Sequence, residues 1–577
     1  MSEPAPVRAH TVEFLRFGDP TGVLRLSDRY LRSIDASPIA EVAFPIPQER
    51  LERGLTALDY DNFARAVDAA HKDRILAVAD RFIADLGGYL QDFVLGPLRP
   101  AAGRITQVDV VTPSLELAQL PFEFLEERLD ELVVTRRVRQ PWPLPPVVDD
   151  DSPKILYAWA APKRRLGVPY EAHRTCLIDL LTRRGIDPEQ ALVEVGEATI
   201  QTIAAAFERH PRLTHVHILA HGIGPARAAP EPGEPIDLEA PPPPPTCLAL
   251  GANDNLQRCS PEQLAALFQS LRARPASVTL ASCGGAEIDP IRSGATLAHA
   301  VHAAGVPIVI ASQLALTKPG SQELLSTFLA GYIDGVDPRL CLRDCRRRLR
   351  EHLDQTYYDR VAVVGFVHLS ADFQTRLQRR RLRRAFAGLA LASRNAEDRL
   401  RTASAGLDPT GPDAMQHEAI ESARHAFESI RADLTTYART QSLGSALRAE
   451  LRGLQASACK REAEAAWALS RCLSEPQRGH WLGHSQQMLR DAGAAYLDAA
   501  RISRDHHWSW VQWLALQAVL HGDLRPWRLD WCTALSAARD ATSVATDSTS
   551  IGLGIAWGHG SVCELQLLAP LAGEPQD

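Results

Sequence analysis

The stretch THVHILAHG, Thr214–Gly222, decides how this chain is read. Its apolar centre is short and bounded by Gly, and it ends in a His-Gly pair: the pattern of a buried strand that delivers a reactive side chain to its carboxyl end. A second stretch, SVTLASCGG, Ser277–Gly285, has the same design and ends in Cys-Gly-Gly. Between them stand a strand, CLALG from Cys247 to Gly251, and a helix, SPEQLAALFQSLRA from Ser260 to Ala273, with Ser260 as its N-cap.

Working outward, the alternation continues on both sides. Upstream lie strands at ITQVDVVTP (Ile105–Pro113), ELVVTRRVRQ (Glu131–Gln140), KILYAWAAP (from Lys154) and ALVEVGEAT (Ala191–Thr199), with helices over 171–184 and 200–209. Downstream come the helix TLAHAVHAAG, the strand PIVIASQLAL, helices over 321–332 and 338–353, and the strand DRVAVVGFVHL (Asp359–Leu369). Strands alternating with helices predict a mostly parallel sheet with helices on both faces, its reactive groups gathered at the carboxyl ends of the strands. Residues 1 to about 100 read as mixed structure, with a strand at IAEVAFPIP (Ile39–Pro47) and a helix over 74–98. The segment 225–246, with five consecutive prolines at Pro241–Pro245, reads as a linker excursion and, second, as a target for regulatory cleavage.

Beyond Ser370 the composition shifts to Ala-, Leu- and Arg-rich helix with several Trp, which sets a boundary near residues 370–381. The expected organisation is a mixed α/β portion over 1–150, a catalytic α/β domain over 151–375 and an all-α module over 376–577. In that module AGAAYLDAARISRDHHWSWVQWLALQAVLHG (Ala492–Gly522) reads as helical, and Ala556–Gly558 as a turn. Together they suggest degenerate tetratricopeptide units of about 34 residues, whose Trp residues serve as core.

A formal net charge of −7 on 577 residues gives no general attraction to nucleic acid or to anionic membranes. No secretory signal or membrane-length apolar run is read, so the expectation is a soluble cytoplasmic protein with ten reduced cysteines. The pairs Cys341/Cys345 and His299/His302 lack the complements a zinc site needs, and no metal or cofactor is implied. The basic runs Arg343–Arg350 and Gln378–Arg384 read as solvated faces or ion-pair partners, with RNA contact as the second reading.

The chemistry is carried by His221 and Cys283. A thiol nucleophile needs a base, and an imidazole near neutrality fills that role. The glycines beside them leave backbone amides open, so the N–H groups of Gly222 and Cys283 are candidates for an oxyanion hole. Taken singly, a strand Cys is a small apolar filler and a strand-end His a satisfied hydrogen-bonding group; the ordered set outweighs that reading.

This set resembles the CHAT family, a caspase-like group related to separases and often fused to tetratricopeptide repeats. The resemblance spans about 350 residues and includes LELAQLPFEFLEE (Leu115–Glu127), similar to the family's Leu-Pro-Trp-Glu segment with Phe122 at the Trp position. It implies a caspase-like fold and a cysteine endopeptidase with His221 and Cys283 as the dyad, acting on a protein substrate in a bacterial defence or cell-death pathway. A protein activator or regulator would bind the C-terminal helices. A departure lies in SQLALT (Ser312–Thr317), where Leu314 stands near a family Trp. Glu287 and Asp289 are candidates for a pocket that takes a basic residue, or else solvated loop acids. The other reading of the whole chain is a catalytically silent CHAT fold serving as a protein-binding scaffold.

Overall fold

The computed structural model describes residues 9–21, 26–44, 69–99, 105–112, 120–129, 131–139, 144–148, 153–161, 168–184, 186–223, 247–252, 255–281, 293–313, 316–351, 359–370, 414–440, 444–471, 473–543 and 551–575, with a few positions between these segments. The chain divides into two compact units, residues 1–377 and 378–577.

Unit one is built on an eleven-stranded sheet. In chain order its strands are β1 (Ala9–Thr21), β2 (Leu26–Ile34), β3 (Ala40–Ala43), β4 (Gln107–Val111), β5 (Val133–Arg137), β6 (Ile155–Trp159), β7 (Leu192–Val195), β8 (His215–Leu219), β12 (Ser277–Ala281), β13 (Ile308–Ser312) and β14 (Val363–Val367). The remaining three, β9 (His221–Ile223), β10 (Cys247–Leu250) and β11 (Gln257–Cys259), form a separate antiparallel sheet. In space the large sheet runs β3-β2-β1-β4-β5-β14-β13-β12-β8-β6-β7. Seven of its ten strand pairings are parallel, as the alternating pattern predicts. The antiparallel pairing β13/β14 joins two parallel blocks of opposite direction, so β6, β8, β12 and β13 share one carboxyl rim. The segment β1–β3, read only as mixed structure apart from β3, extends this same sheet.

The central strands are buried on both faces, which is why β8, β12, β13 and β14 read as near-continuous short runs. Their side chains alternate between two cores. Val216, Ile218, Val278 and Leu280 join Phe207, Phe268 and Phe366 on one face. Leu219 and Ala281 join Tyr157, Leu177, Ile310 and Phe328 on the other. The flanking helices begin where their caps dictate. Thr199 and Ser260 each close a capping box, on α3 (Ile200–Arg209) and α4 (Pro261–Ser270), after α1 (Ala69–Leu90) and α2 (Tyr170–Thr182). Helix α5 (Ser293–Ala303) follows β12. Helix α6 (Lys318–Glu323), capped by Thr317, runs on through π-helical turns at Leu324–Leu329, and α7 (Pro338–Glu351) carries the first basic run.

The basic helix is largely neutralised within unit one. Arg343 pairs with Glu131, Arg347 with Asp344, Arg348 with Glu323 and Arg350 with Glu127. Arg346 turns inward and is buried against Glu126 and Glu123. The second run, 378–384, lies outside the described residues, as do the proline-rich segment 224–246 and Leu314.

Unit two is all helical: α8 (Ala414–Thr440), α9 (Ser445–Arg471), α10 (Gln477–Ile502), α11 (His507–His521), α12 (Arg528–Ser543) and α13 (Ile551–Ala572). Its core is the expected mixture of small residues and indoles, with Ala495, Ala500 and Tyr496 against Trp510, Trp513 and Trp531. The Ala492–Gly522 segment is helical as read, in two helices that part at Ser503–His506, where the His506 ring bonds the Ser509 hydroxyl at 2.8 Å. One reading of the sequence needs correcting. Ala556–Gly558 lies inside α13, and a Cβ on Gly558 would sit 3.0 Å from Thr542 Cγ2; this glycine serves close helix packing instead of a turn. Among the described residues no helix is long and apolar enough to cross a membrane.

Candidate active site

Strands β8 and β12 are hydrogen-bonded neighbours in parallel register, from Ser277 opposite His215 to Ala281 opposite Leu219. Each rung joins residues 62 apart, and two of them are side-chain hydrogen bonds. His215 Nδ1 meets the Ser277 hydroxyl at 2.8 Å, and His217 Nδ1 meets the Thr279 hydroxyl at 2.7 Å. His221 and Cys283 are separated by the same 62 residues, each two positions past the last rung.

At the end of β8 the chain changes sheets. The Ala220 amide donates to the Ala281 carbonyl at 3.2 Å, and His221–Ile223 then pair with β10, His221 opposite Ala249 and Gly222 opposite Leu248. His221 is buried at this fork, 2 % exposed, and α5 packs against its strand. The strand read at Cys247–Gly251 thus belongs to the small sheet and backs His221, because strand character in a sequence does not name the sheet that takes the strand. Cys283, Glu287 and Asp289 lie outside the described residues; of the two candidate oxyanion donors, Gly222 is described and Cys283 is not.

Beneath the rim lies a polar network that the sequence did not single out. His173 of α2 reaches His217 through Nδ1–Nε2 at 2.9 Å and the Ser321 hydroxyl through Nε2 at 3.0 Å. Burial holds His173 at about 4 and His217 well below the ordinary imidazole range, so both are neutral. Farther along, the carboxylate of Glu123, within the Leu-Pro-Phe-Glu segment, is gripped by Arg136 Nε at 2.9 Å and by the Gln313 amide at 3.2 Å. Arg136 also donates to Gln313 Oε1 at 2.9 Å and to the Leu120 carbonyl at 2.7 Å. Gln313 directly follows β13, so this buried cluster fixes the point where the chain leaves that strand.

None of the eight described cysteines lies in a disulfide. Burial pushes Cys259 up to about 12 and Cys459 to about 11, and raises Cys176, Cys247 and Cys345, which makes these five poor nucleophiles. Cys341 is buried in α7 beside Gly331. The His302 ring bonds the Val306 carbonyl at 2.8 Å, and both His299 and His302 pack on Phe366. Among the described residues no group of three His, Cys, Asp or Glu gathers to hold a metal.

A wide mixed sheet between helical layers, with a histidine at the carboxyl rim of a central strand, defines an α/β protein with an appended all-helical unit. Residues 84–371 match the family model described as CHAT domain, which makes this a CHAT-domain protein. The match covers β4–β14, so β1–β3 extend the sheet beyond the matched region. No curated protein matches the chain.

Proposed function

We propose that this protein is a caspase-like cysteine endopeptidase with His221 and Cys283 as its dyad. The observation that carries the reading is the register of β8 and β12: the offset that pairs the two strands is the offset that separates the two residues. The Cys283 thiolate attacks the carbonyl carbon of a peptide bond, and the amides of Gly222 and Cys283 hold the oxyanion. As the C–N bond breaks, the His221 imidazolium gives its proton to the leaving amine. Water, deprotonated by His221, then attacks the thioester, releasing the acid and restoring the thiol. In the same reading Glu287 and Asp289 line a pocket for a basic side chain, and the tetratricopeptide-like helices of unit two hold a protein regulator within a cytoplasmic bacterial defence or cell-death system.

The test maps new protein N-termini in cells expressing the wild type, Cys283→Ala or His221→Ala together with the neighbouring genes, under a stress that triggers the system. Cuts present in the wild type and lost in both variants support the dyad and report the substrate and the residue before the cut. Identical maps from all three folded proteins would instead make the chain a binding scaffold.

A further inference from the structure

The rungs between β8 and β12 belong to a longer relay. Ser321 of α6, His173 of α2, His217 of β8 and Thr279 of β12 form one hydrogen-bonded line through the buried face that also carries Leu219 and Ala281. Each end has a backbone carbonyl to take a terminal proton. The Thr279 hydroxyl lies 3.3 Å from the Val216 carbonyl, and the Ser321 hydroxyl donates to the Lys318 carbonyl at 2.8 Å. With one proton per imidazole the line is satisfied in either direction. In one, Ser321 donates to His173, His173 to His217, His217 to Thr279, and Thr279 to Val216. In the other every donor and acceptor is reversed and Ser321 donates to Lys318. The His173 and His217 rings lie edge to edge, centroids 5.2 Å apart and 26° from parallel, and the Tyr157 ring lies beside His217 at 5.6 Å and 23°.

This line has a consequence for register. A parallel pair of apolar strands gives little resistance to slipping by two residues, since the same side chains stay on the same face. Here a slip of two would separate His217 from Thr279 and strand buried polar groups, each of which needs a partner. The pairing His215–Ser277 adds a second such rung. We propose that His173, His217 and Thr279 are positioning residues for the active site: their relay locks β8 against β12 in the register that brings His221 to Cys283, and ties that register to α6 through Ser321. This inference rests on the dyad reading above.

The test follows alkylation of Cys283 in the full-length protein by iodoacetamide as a function of pH, read by mass spectrometry of the peptide that contains it. Thr279→Val keeps the shape and removes the hydroxyl, whereas Thr279→Ser keeps the hydroxyl. Thr279→Val is expected to raise the apparent thiol pKa by about one unit, slowing alkylation at neutral pH roughly tenfold, with Thr279→Ser matching the wild type. His221→Ala serves as the control. A folded Thr279→Val with the wild-type profile, while His221→Ala is shifted, overturns the positioning role and leaves the dyad standing. Unshifted profiles in both overturn the dyad reading and this inference with it. If Thr279→Val does not fold, ¹⁵N spectra of wild-type histidine side chains decide. Two neutral rings sharing a hydrogen bond between His173 Nδ1 and His217 Nε2 support the relay, and rings without that bond overturn it.

Discussion

Replacing Arg136 by Met tests how the rim is held from behind. The guanidinium is fully buried, and Glu123 is 1 % exposed, so the substitution leaves a carboxylate in the core. What remains beside it is the Gln313 amide at 3.2 Å and Arg346 at 3.6 Å, the latter already engaged with Glu126. Gln313 Oε1 also loses the Arg136 donor, and the Leu120 carbonyl is left with the Phe122 amide at 2.9 Å. Breaking a buried ion pair on one side costs about 3–5 kcal/mol, whereas replacing both partners by apolar groups costs far less. At about 1.4 kcal/mol per factor of ten, amide protection in β5, β13 and β14 should fall by two to nearly four powers of ten. Native-state hydrogen exchange by mass spectrometry reads this locally, without interference from unit two. Glu123→Leu combined with Arg136→Met should recover at least about 2 kcal/mol of the loss. Protection that stays within a few-fold of wild type in Arg136→Met, or a double variant no better than the single, would refute the buried-charge argument.

Acidification is a second test. Burial holds His173 and His299 at about 4 and His302 at about 3, so between pH 6.5 and 4 the unfolded chain takes up protons the folded chain refuses, and stability falls as pH falls. Asp359, raised to about 6, and Glu126, raised to about 7, act in the opposite sense because the folded chain binds their protons first. His217, His210 and His368, whose pKa burial also lowers, add to these three histidines, and together they outweigh the two carboxyls and predict a lower melting temperature for unit one at pH 4.5 than at pH 7; a higher one would contradict the balance. Gly320→Ala would set a Cβ 2.0 Å from the buried Asp359 carboxylate, whose other oxygen accepts from the Thr317 amide at 2.9 Å, and should cost about 1–3 kcal/mol in chemical denaturation. Gly483→Ala, in the exposed face of α10 with nothing within 4 Å, should stabilise unit two by about 0.5–1 kcal/mol, measured the same way.

The central strands were legible because their burial on both faces leaves short apolar runs, and their ends were legible because glycine follows the polar residue in both. The helix at Pro261 was legible down to its cap, since Ser260 and Gln263 bond each other's backbone. Strand β2 was not. Its inward positions include Arg32, which is buried and donates to the Phe93 carbonyl at 2.7 Å, so the apolar alternation is interrupted by a cation. The rim network was equally hidden. Nothing in the spacing of Glu123, Arg136 and Gln313 shows that three segments 13 to 190 residues apart converge. The break at Ser503–His506 carries neither Gly nor Pro and rests on a local His506–Ser509 hydrogen bond, which helix periodicity does not register. The tie from His173 to His217 joins a helix to a strand 44 residues on, and single-sequence patterns carry no such pairing.

Thiol peptidase chemistry in this protein depends on one distance. A crystal structure of the full chain in its activated state should show the His221 imidazole and the Cys283 sulfur within hydrogen-bond reach, about 4 Å or less, with β8 and β12 still paired through Leu219 and Ala281. The two groups held far apart in that state, with no water between them, would contradict the peptidase account.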